Sequence, residues 1–188
     1  MPRKPRPNVA GFYHIATRSL PNERLFRDEH DFARFQSGLR VNIETGDCRC
    51  LCFCLMTTHY HLVLETAHGV LSKLMQRLNQ GYAIAYNARY GRRGHAFSER
   101  YLATLILDDA HLLVAFRYTV RNPVEAGICE RAEDWEWSSY RSAIGMAEAP
   151  SFVDASDILK LCGGPAGVRA LVEGEQQCLA PLSAVPGT

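Results

Sequence analysis

Two histidines, His59 and His61, lie two positions apart in a run of apolar residues. On a β-strand, residues i and i+2 point to the same face and are about 7 Å apart along the chain. The two imidazoles could therefore converge on one metal ion, while Tyr60 between them turns to the opposite face. A pair of structural histidines on a buried strand would give the same pattern, so the spacing alone leaves both interpretations open.

A tyrosine and an asparagine, Tyr118 and Asn122, are four residues apart in a segment with helical hydrophobic spacing. Residues at i and i+4 lie on the same side of a helix. Phe116 and Val120 turn toward the core, so Tyr118 is expected on the side of the helix away from it. A tyrosine hydroxyl in such a position can serve as a nucleophile. The alternative is an amphipathic tyrosine at the edge of the core, with Asn122 capping the helix.

The charge of the chain is unevenly distributed. The 188 residues carry a formal net charge of only +1, yet Glu99 is the sole acidic residue between Gly69 and Leu107. The basic residues of that segment are Lys73, Arg77, Arg89, Arg92, Arg93 and Arg100. A basic stretch in a near-neutral chain suits a surface that faces an anionic polymer. A solvated helix face would give the same composition.

Cysteine usage indicates a reducing compartment, and hydropathy indicates a protein without a membrane span. Four of the seven cysteines, Cys48, Cys50, Cys52 and Cys54, occupy alternate positions, which on a regular strand would place all four thiols on one face. This spacing differs from that of zinc sites and favours a buried strand that uses cysteine as a small hydrophobic residue. No apolar run of about eighteen residues and no secretory signal pattern are present, so we expect a cytoplasmic protein without a membrane span.

Hydrophobic periodicity and capping residues predict the elements that must position these side chains. Strands are predicted at residues 8–17, 48–55, 59–66 and 96–107, and helices from Asp28 to Gly46, from Val70 to Gly91 and from Asp108 to Asn122. The last helix should end or kink at Asn122 because Pro123 follows. The order predicts an α+β fold, namely a ferredoxin-like βαββαβ antiparallel sheet with an additional C-terminal helix that carries the tyrosine.

The chain is expected to contain one main domain. Residues 1–145 form this domain, which begins with a basic arm at residues 1–7. Residues 146–188 form a C-terminal extension that is partly helical and whose tail could be disordered.

Several segments resemble, in order, the sequence motifs of REP-associated tyrosine transposases, which are single-tyrosine HUH enzymes related to insertion-sequence transposases. The motif around the two histidines is Cys54-Leu-Met-Thr-Thr-His-Tyr-His-Leu-Val-Leu64, and that of the tyrosine helix is Arg117-Tyr-Thr-Val-Arg-Asn-Pro-Val-Glu-Ala-Gly127. Residues 13–18, 71–79 and 94–101 are similar to the first strand, the middle helix and the following loop of the family. The resemblance covers most of residues 13–145.

The resemblance implies a role for each matching residue. Tyr118 corresponds to the nucleophile, His59 and His61 to metal ligands, and Asn122 to the polar residue that completes the metal site. The implied enzyme is a metal-dependent single-stranded DNA transesterase that acts in transposition through a 5′-phosphotyrosine intermediate. Its cofactor is a divalent metal, Mg²⁺ or Mn²⁺: the two imidazoles favour Mn²⁺, whereas cellular abundance favours Mg²⁺.

The implied partner is single-stranded or hairpin DNA, bound by a monomer or a homodimer. The residues that we expect to contact DNA are Arg3, Lys4, Arg6, Arg18, Arg77, Arg92, Arg93 and Arg100. One alternative is a domesticated, non-catalytic relative that only binds hairpin DNA. A ferredoxin-like RNA-binding domain is another, but residues 48–55 lack the aromatic residues that such a domain uses to stack bases.

Overall fold

A computed structural model describes residues 9–174 of the chain. Its first seven elements are β1 (Gly11–Arg18), α1 (Glu29–Glu44), β2 (Cys48–Leu55), β3 (His59–Thr66), α2 (Val70–Tyr90), β4 (Leu102–Ile106) and α3 (Asp109–Glu125). A short 3-10 helix (Ala132–Asp134), α4 (Tyr140–Ala143), α5 (Ser156–Cys162) and α6 (Pro165–Glu173) follow.

The ends of the helices are fixed by residues that the sequence identifies. The side chain of Asp28 accepts a hydrogen bond from the Asp31 backbone N–H at 3.2 Å, which caps the N-terminus of α1 as predicted. Asp108 caps α3 in the same way through the His111 N–H at 2.7 Å. Gly91 ends α2 with a φ of 61°, a left-handed conformation that favours glycine.

The four strands form one antiparallel sheet in the order β2-β3-β1-β4. With α1 and α2 as the two crossover helices, this is the ferredoxin-like arrangement that the sequence predicts. The additional helix that carries Tyr118 is also present, as α3. The predicted α+β fold class is therefore confirmed.

Helices cover both faces of the sheet. The face packed against α1 and α2 is built from Tyr13, Ile15, Tyr60, Leu62, Leu64, Phe35, Leu39, Leu74 and Met75. The opposite face packs against α3 and the C-terminal helices, with Val63, Ile106, Phe116, Val120, Ile158 and Val168 in its core. We call this second face the α3 face.

Three local predictions differ from the structure. The last strand begins at Leu102 rather than at residue 96, because Phe97 makes only an isolated bridge to Ser19 before the chain joins the sheet. The third helix continues past Pro123 to Glu125, because proline removes only its own N–H and the Asn122 carbonyl still accepts a hydrogen bond from Ala126 N at 2.9 Å. The third difference concerns the cysteines of β2.

A β-bulge in β2 divides the four cysteines between the two faces of the sheet. The register against β3 shifts between Cys50 and Cys52, so the extra residue inverts the alternation that follows. Cys50 packs in the core beneath α1 and α2, whereas Cys52 packs beneath α3. The expectation that all four thiols share one face is therefore wrong, although their role as buried small hydrophobic residues fits Cys50, Cys52 and Cys54.

The described part of the C-terminal extension packs against α3. Ile158 of α5 and Val168 and Val172 of α6 are fully buried in the core of the α3 face. Arg117 of α3 donates to the carbonyl of Leu171 at 3.0 Å, and this contact ties α6 to the tyrosine helix. No helix within residues 9–174 is both long enough and apolar enough to cross a membrane.

Candidate active site

The pairing of β1 with β3 assembles the polar residues of the α3 face. Arg18 lies opposite His59 and Ala16 lies opposite His61 in the antiparallel register. Because alternate residues of a strand share a face, His14, Ala16 and Arg18 lie on the same face as the two histidines. The sheet thus presents three imidazoles and one guanidinium to α3, with the small side chain of Ala16 between His14 and Arg18.

Asn122 bridges α3 and β3. Its Oδ1 lies 3.2 Å from Nε2 of His59, and its Nδ2 donates to the Tyr118 carbonyl at 3.0 Å. Only the amide nitrogen can donate to a carbonyl, so this second bond directs the amide oxygen toward His59. Thr58 Oγ1 lies 3.0 Å from Nδ1 of His59, which leaves Nε2 as the nitrogen that faces α3.

His61 is buried and contacts a third histidine that the sequence analysis did not assign to the site. Its Nδ1 lies 3.1 Å from Nε2 of His14, and the two rings are parallel within 3°. The sequence signal for His14 is its even spacing from Ala16 and Arg18, but this signal has meaning only once the β1–β3 register is known.

Tyr118 lies beside the histidines rather than in the apolar core. Its ring centroid is 5.3 Å from that of His61 and 5.6 Å from that of His14, with interplanar angles of 89° and 90°. The side chain is half-buried and lines a cleft together with His59 and His61. The structure therefore brings together the four residues that the sequence analysis selected, namely Tyr118, Asn122, His59 and His61.

Burial keeps the imidazoles of the site neutral. Desolvation lowers the pKa of His59, and it lowers the pKa of His61 well below its usual value, with further lowering from the neighbouring histidines and from Arg18. Desolvation, assisted by the charge of His111, lowers the pKa of His14 to about 4. Neutral imidazoles retain a lone pair for a metal ion at physiological pH.

The cleft beside Tyr118 combines a basic rim with the histidine pair. Its volume is about 310 Å³, and its lining residues are Ala16, Thr17, Arg18, His59, His61, Ser98, Glu99, Arg100, Leu102 and Tyr118. Arg18 and Arg100 make no ion pair with a carboxylate among the described residues. Their charges are available to an anion that enters the cleft, and the carboxylate of Glu99 is the one acidic group in its lining.

The other basic residues predicted to contact DNA occupy different environments. Arg92 is paired with Glu23 through a donated hydrogen bond of 2.6 Å. Arg93 is exposed in the loop after α2. Arg77 lines a groove between α1 and α2, on the side of the sheet away from Tyr118. Arg3, Lys4 and Arg6 lie outside the described residues.

The sequence from residue 10 to residue 122 matches the family model described as "Transposase IS200 like". The chain belongs to this transposase family. The match spans more than half of the chain and contains the three histidines, Tyr118 and Asn122, which confirms the resemblance noted from the motifs. A comparison with curated proteins finds no match.

A solved structure, "Structure of the REP associates tyrosine transposase bound to a REP hairpin", is similar to this transposase chain in fold. The TM-score is 0.68 with 13% sequence identity, and the similarity covers 84% of this chain and 96% of the other. At this identity the likeness supports the fold, and the functional argument depends on the family match and on the site itself.

The donor set around His59 fits a divalent metal ion. The 3.2 Å between His59 Nε2 and Asn122 Oδ1 is near the separation of about 3 Å expected for adjacent ligands of an octahedral ion with bonds of about 2.1 Å. Two neutral imidazoles and an amide oxygen suit Mn²⁺ and are also compatible with Mg²⁺. His59, His61 and Asn122 can therefore hold such an ion on the rim of the cleft.

A second group of potential ligands lies at the start of α1. Ligand atoms of Asp28, His30 and Asp31 are within 4.8 Å of one another. Arg89 donates to both carboxylates, at 2.7 Å to Asp28 Oδ2 and 2.6 Å to Asp31 Oδ1. Because this guanidinium already pairs with both acids and Asp28 caps α1, we interpret the group as a structural ion-pair cluster.

Proposed function

We propose that this transposase family member is a metal-dependent single-stranded DNA transesterase of the HUH type. It would cleave and rejoin DNA through a 5′-phosphotyrosine intermediate, during transposition or at repeat-derived hairpins. The observation that carries the proposal is the position of Tyr118, whose ring lies 5.3 Å from that of His61 in the cleft that both histidines line.

In the proposed site, His59, His61 and Asn122 hold one Mg²⁺ or Mn²⁺ ion. When bound, such an ion neutralises charge on a non-bridging phosphate oxygen and orients the phosphate for in-line attack. Arg18 and Arg100 add positive charge along the same cleft, where they can bind the phosphates on either side of the scissile bond.

Tyr118 is the proposed nucleophile. Its Oη forms a bond to phosphorus as the bond between phosphorus and the 3′-oxygen breaks. The phenol loses its proton and the departing 3′-oxygen gains one, which leaves a 5′-phosphotyrosine and a free 3′-hydroxyl. The phosphotyrosine ester retains the energy of the phosphodiester, so a second 3′-hydroxyl can attack it and restore Tyr118. The positive charges around the cleft assist this attack, because a phenol is a weak nucleophile while it keeps its proton.

Hairpin DNA with a single-stranded flank is the proposed substrate. The fold matches that of a REP-associated transposase whose solved structure contains a REP hairpin. A cleft of about 310 Å³ with exposed arginines at its rim admits a single strand more readily than a duplex. We therefore expect the scissile bond in the flank rather than in the paired stem.

A covalent-adduct assay tests this proposal. Hairpin oligonucleotides with 5′ or 3′ single-stranded flanks are labelled at either end, incubated with the protein and Mn²⁺, and separated on denaturing gels. A 5′-phosphotyrosine predicts that the 3′-terminal label migrates with the protein and that the 5′-terminal label is released. Tyr118→Phe should abolish the adduct, because it removes only the hydroxyl.

Tyr90→Phe is the matched control. This variant also removes one hydroxyl, which in the wild type donates to Asp31 at 2.8 Å. Tyr90 lies at the end of α2, away from the cleft. Its adduct yield should equal that of the wild type. Hairpin binding without an adduct under any of these conditions would favour the non-catalytic, hairpin-binding alternative. An adduct retained by Tyr118→Phe would show that another residue is the nucleophile.

A further inference from the structure

His14 is buried next to the proposed metal site without being one of its ligands. The side chain is 5% exposed, and its Nε2 lies 3.1 Å from Nδ1 of His61. At this distance, and with rings parallel within 3°, one imidazole donates a hydrogen to the other.

The direction of this hydrogen bond decides whether His61 can bind a metal. A neutral imidazole carries hydrogen on one nitrogen and has a lone pair on the other. If His61 Nδ1–H donates to His14, its Nε2 is bare and can act as a ligand. If His14 donates instead, His61 Nδ1 accepts and its Nε2 carries the hydrogen, which blocks ligation through that atom.

We propose that His14 is a positioning residue that accepts the Nδ1 hydrogen of His61 and thereby holds the Nε2 lone pair of His61 ready for the metal ion. This inference rests on the proposed function, because it assumes that His61 is a ligand. Metal-binding histidines commonly donate their second ring N–H to a carboxylate, a backbone carbonyl or water. Here the neutral imidazole of His14 takes that place.

The surroundings of His14 support a positioning role. His14 lies on β1 and His61 on β3, which are adjacent paired strands, so the sheet fixes the distance between the rings. The Tyr118 ring contacts both imidazoles edge-on, at centroid distances of 5.6 Å and 5.3 Å. Because His14 is almost inaccessible to solvent, water cannot readily replace it as the acceptor.

Mn²⁺ affinity of His14 variants tests the proposal without a DNA substrate. Free Mn²⁺ is quantified by electron paramagnetic resonance during titration of wild-type, His14→Leu, His14→Gln and His111→Asn proteins. Loss of the acceptor in His14→Leu should weaken Mn²⁺ binding about 10–100-fold. His14→Gln should remain within about threefold of the wild type, because its Oε1 can accept the same hydrogen. His111→Asn removes a nearby histidine outside the cleft lining and should not change the affinity.

The tautomer of His61 in the wild-type protein provides a second test that needs no variant. Long-range ¹H–¹⁵N correlation spectra of the metal-free protein should already show His61 with hydrogen on Nδ1. A hydrogen on Nε2 would overturn the proposal, as would wild-type Mn²⁺ affinity in His14→Leu. Wild-type protein that binds no Mn²⁺ would overturn both this inference and the metal-dependent function. Normal wild-type binding and adduct formation with no effect of His14→Leu would overturn the inference alone.

Discussion

Replacing Asn122 with alanine removes the only side chain of α3 that is proposed to bind the metal. Asn122 makes two contacts in the free protein, one from Nδ2 to the Tyr118 carbonyl at 3.0 Å and one between Oδ1 and His59 Nε2 at 3.2 Å. The side chain is 8% exposed, so water does not fully replace either contact. The variant should therefore affect both the stability of the free protein and its affinity for Mn²⁺.

The two effects have different expected sizes. Two net hydrogen bonds contribute about 0.5–1.5 kcal/mol each, so Asn122→Ala should lower the free energy of unfolding by about 1–3 kcal/mol. Loss of a residue that orients a metal ligand weakens binding by about tenfold or more, which corresponds to about 1.4 kcal/mol. Loss of the ligand Asn122 itself should weaken Mn²⁺ binding at least as much.

Asn122→Asp is the matched variant that separates these effects. Its carboxylate keeps an oxygen donor for the metal but cannot donate to the Tyr118 carbonyl, so it should lose stability while retaining or increasing Mn²⁺ affinity. Urea unfolding without metal measures stability, and Mn²⁺ titration measures affinity. A folded Asn122→Ala protein whose Mn²⁺ affinity is within twofold of the wild type would refute the assignment of Asn122 as a ligand.

Three further predictions follow from the burial and ion pairing of other residues. First, the low pKa of buried His14 means that the unfolded chain binds more protons than the folded protein between pH 6.5 and about 4, so metal-free stability should fall as pH decreases through this window. Urea unfolding at several pH values should show a smaller decrease for His14→Gln than for the wild type. An equal decrease would show that His14 is not the group responsible. Second, Arg100→Ala should weaken hairpin binding and reduce its salt dependence by about one counterion, whereas Arg92→Ala should have a smaller effect because Arg92 is paired with Glu23. Fluorescence anisotropy over a salt series measures both effects. A larger effect of Arg92→Ala than of Arg100→Ala would count against the cleft as the DNA site. Third, Ile158→Ala should lower the free energy of unfolding by about 2–5 kcal/mol because Ile158 is fully buried beneath α3. A change below about 0.5 kcal/mol in thermal or urea unfolding would show that the C-terminal extension does not share the core of the α3 face.

The sequence predicts the parts of the fold that depend on local pattern. The bounds of β2 and β3 agree with the prediction because apolar residues fill both segments and a short polar turn separates them. Asp28 and Asp108 mark the starts of α1 and α3 through a capping bond that lies within four residues of each. Tyr118 and Asn122 could be placed on one side of a helix because residues four positions apart lie on the same side.

Features that depend on pairing between distant segments could not be predicted. The contact of His14 with His61 requires the β1–β3 register, and the pairing of Arg92 with Glu23 joins residues 69 positions apart. The bulge between Cys50 and Cys52 arises only when β2 is aligned with β3. In each case the residue types are visible in the sequence, but their meaning depends on a long-range contact.

Peptide mapping of the covalent adduct tests the central proposal most directly. Arg117 precedes Tyr118 and Arg121 follows it by three residues, so trypsin should release the tetrapeptide of residues 118–121, in which Tyr118 is the sole tyrosine. After nuclease treatment of an adduct formed with Mn²⁺ and hairpin DNA, mass spectrometry should find this peptide with one nucleotide attached through its 5′-phosphate to the phenolic oxygen. A nucleotide on any other peptide, with the 118–121 peptide unmodified, would contradict the assignment of Tyr118 as the nucleophile.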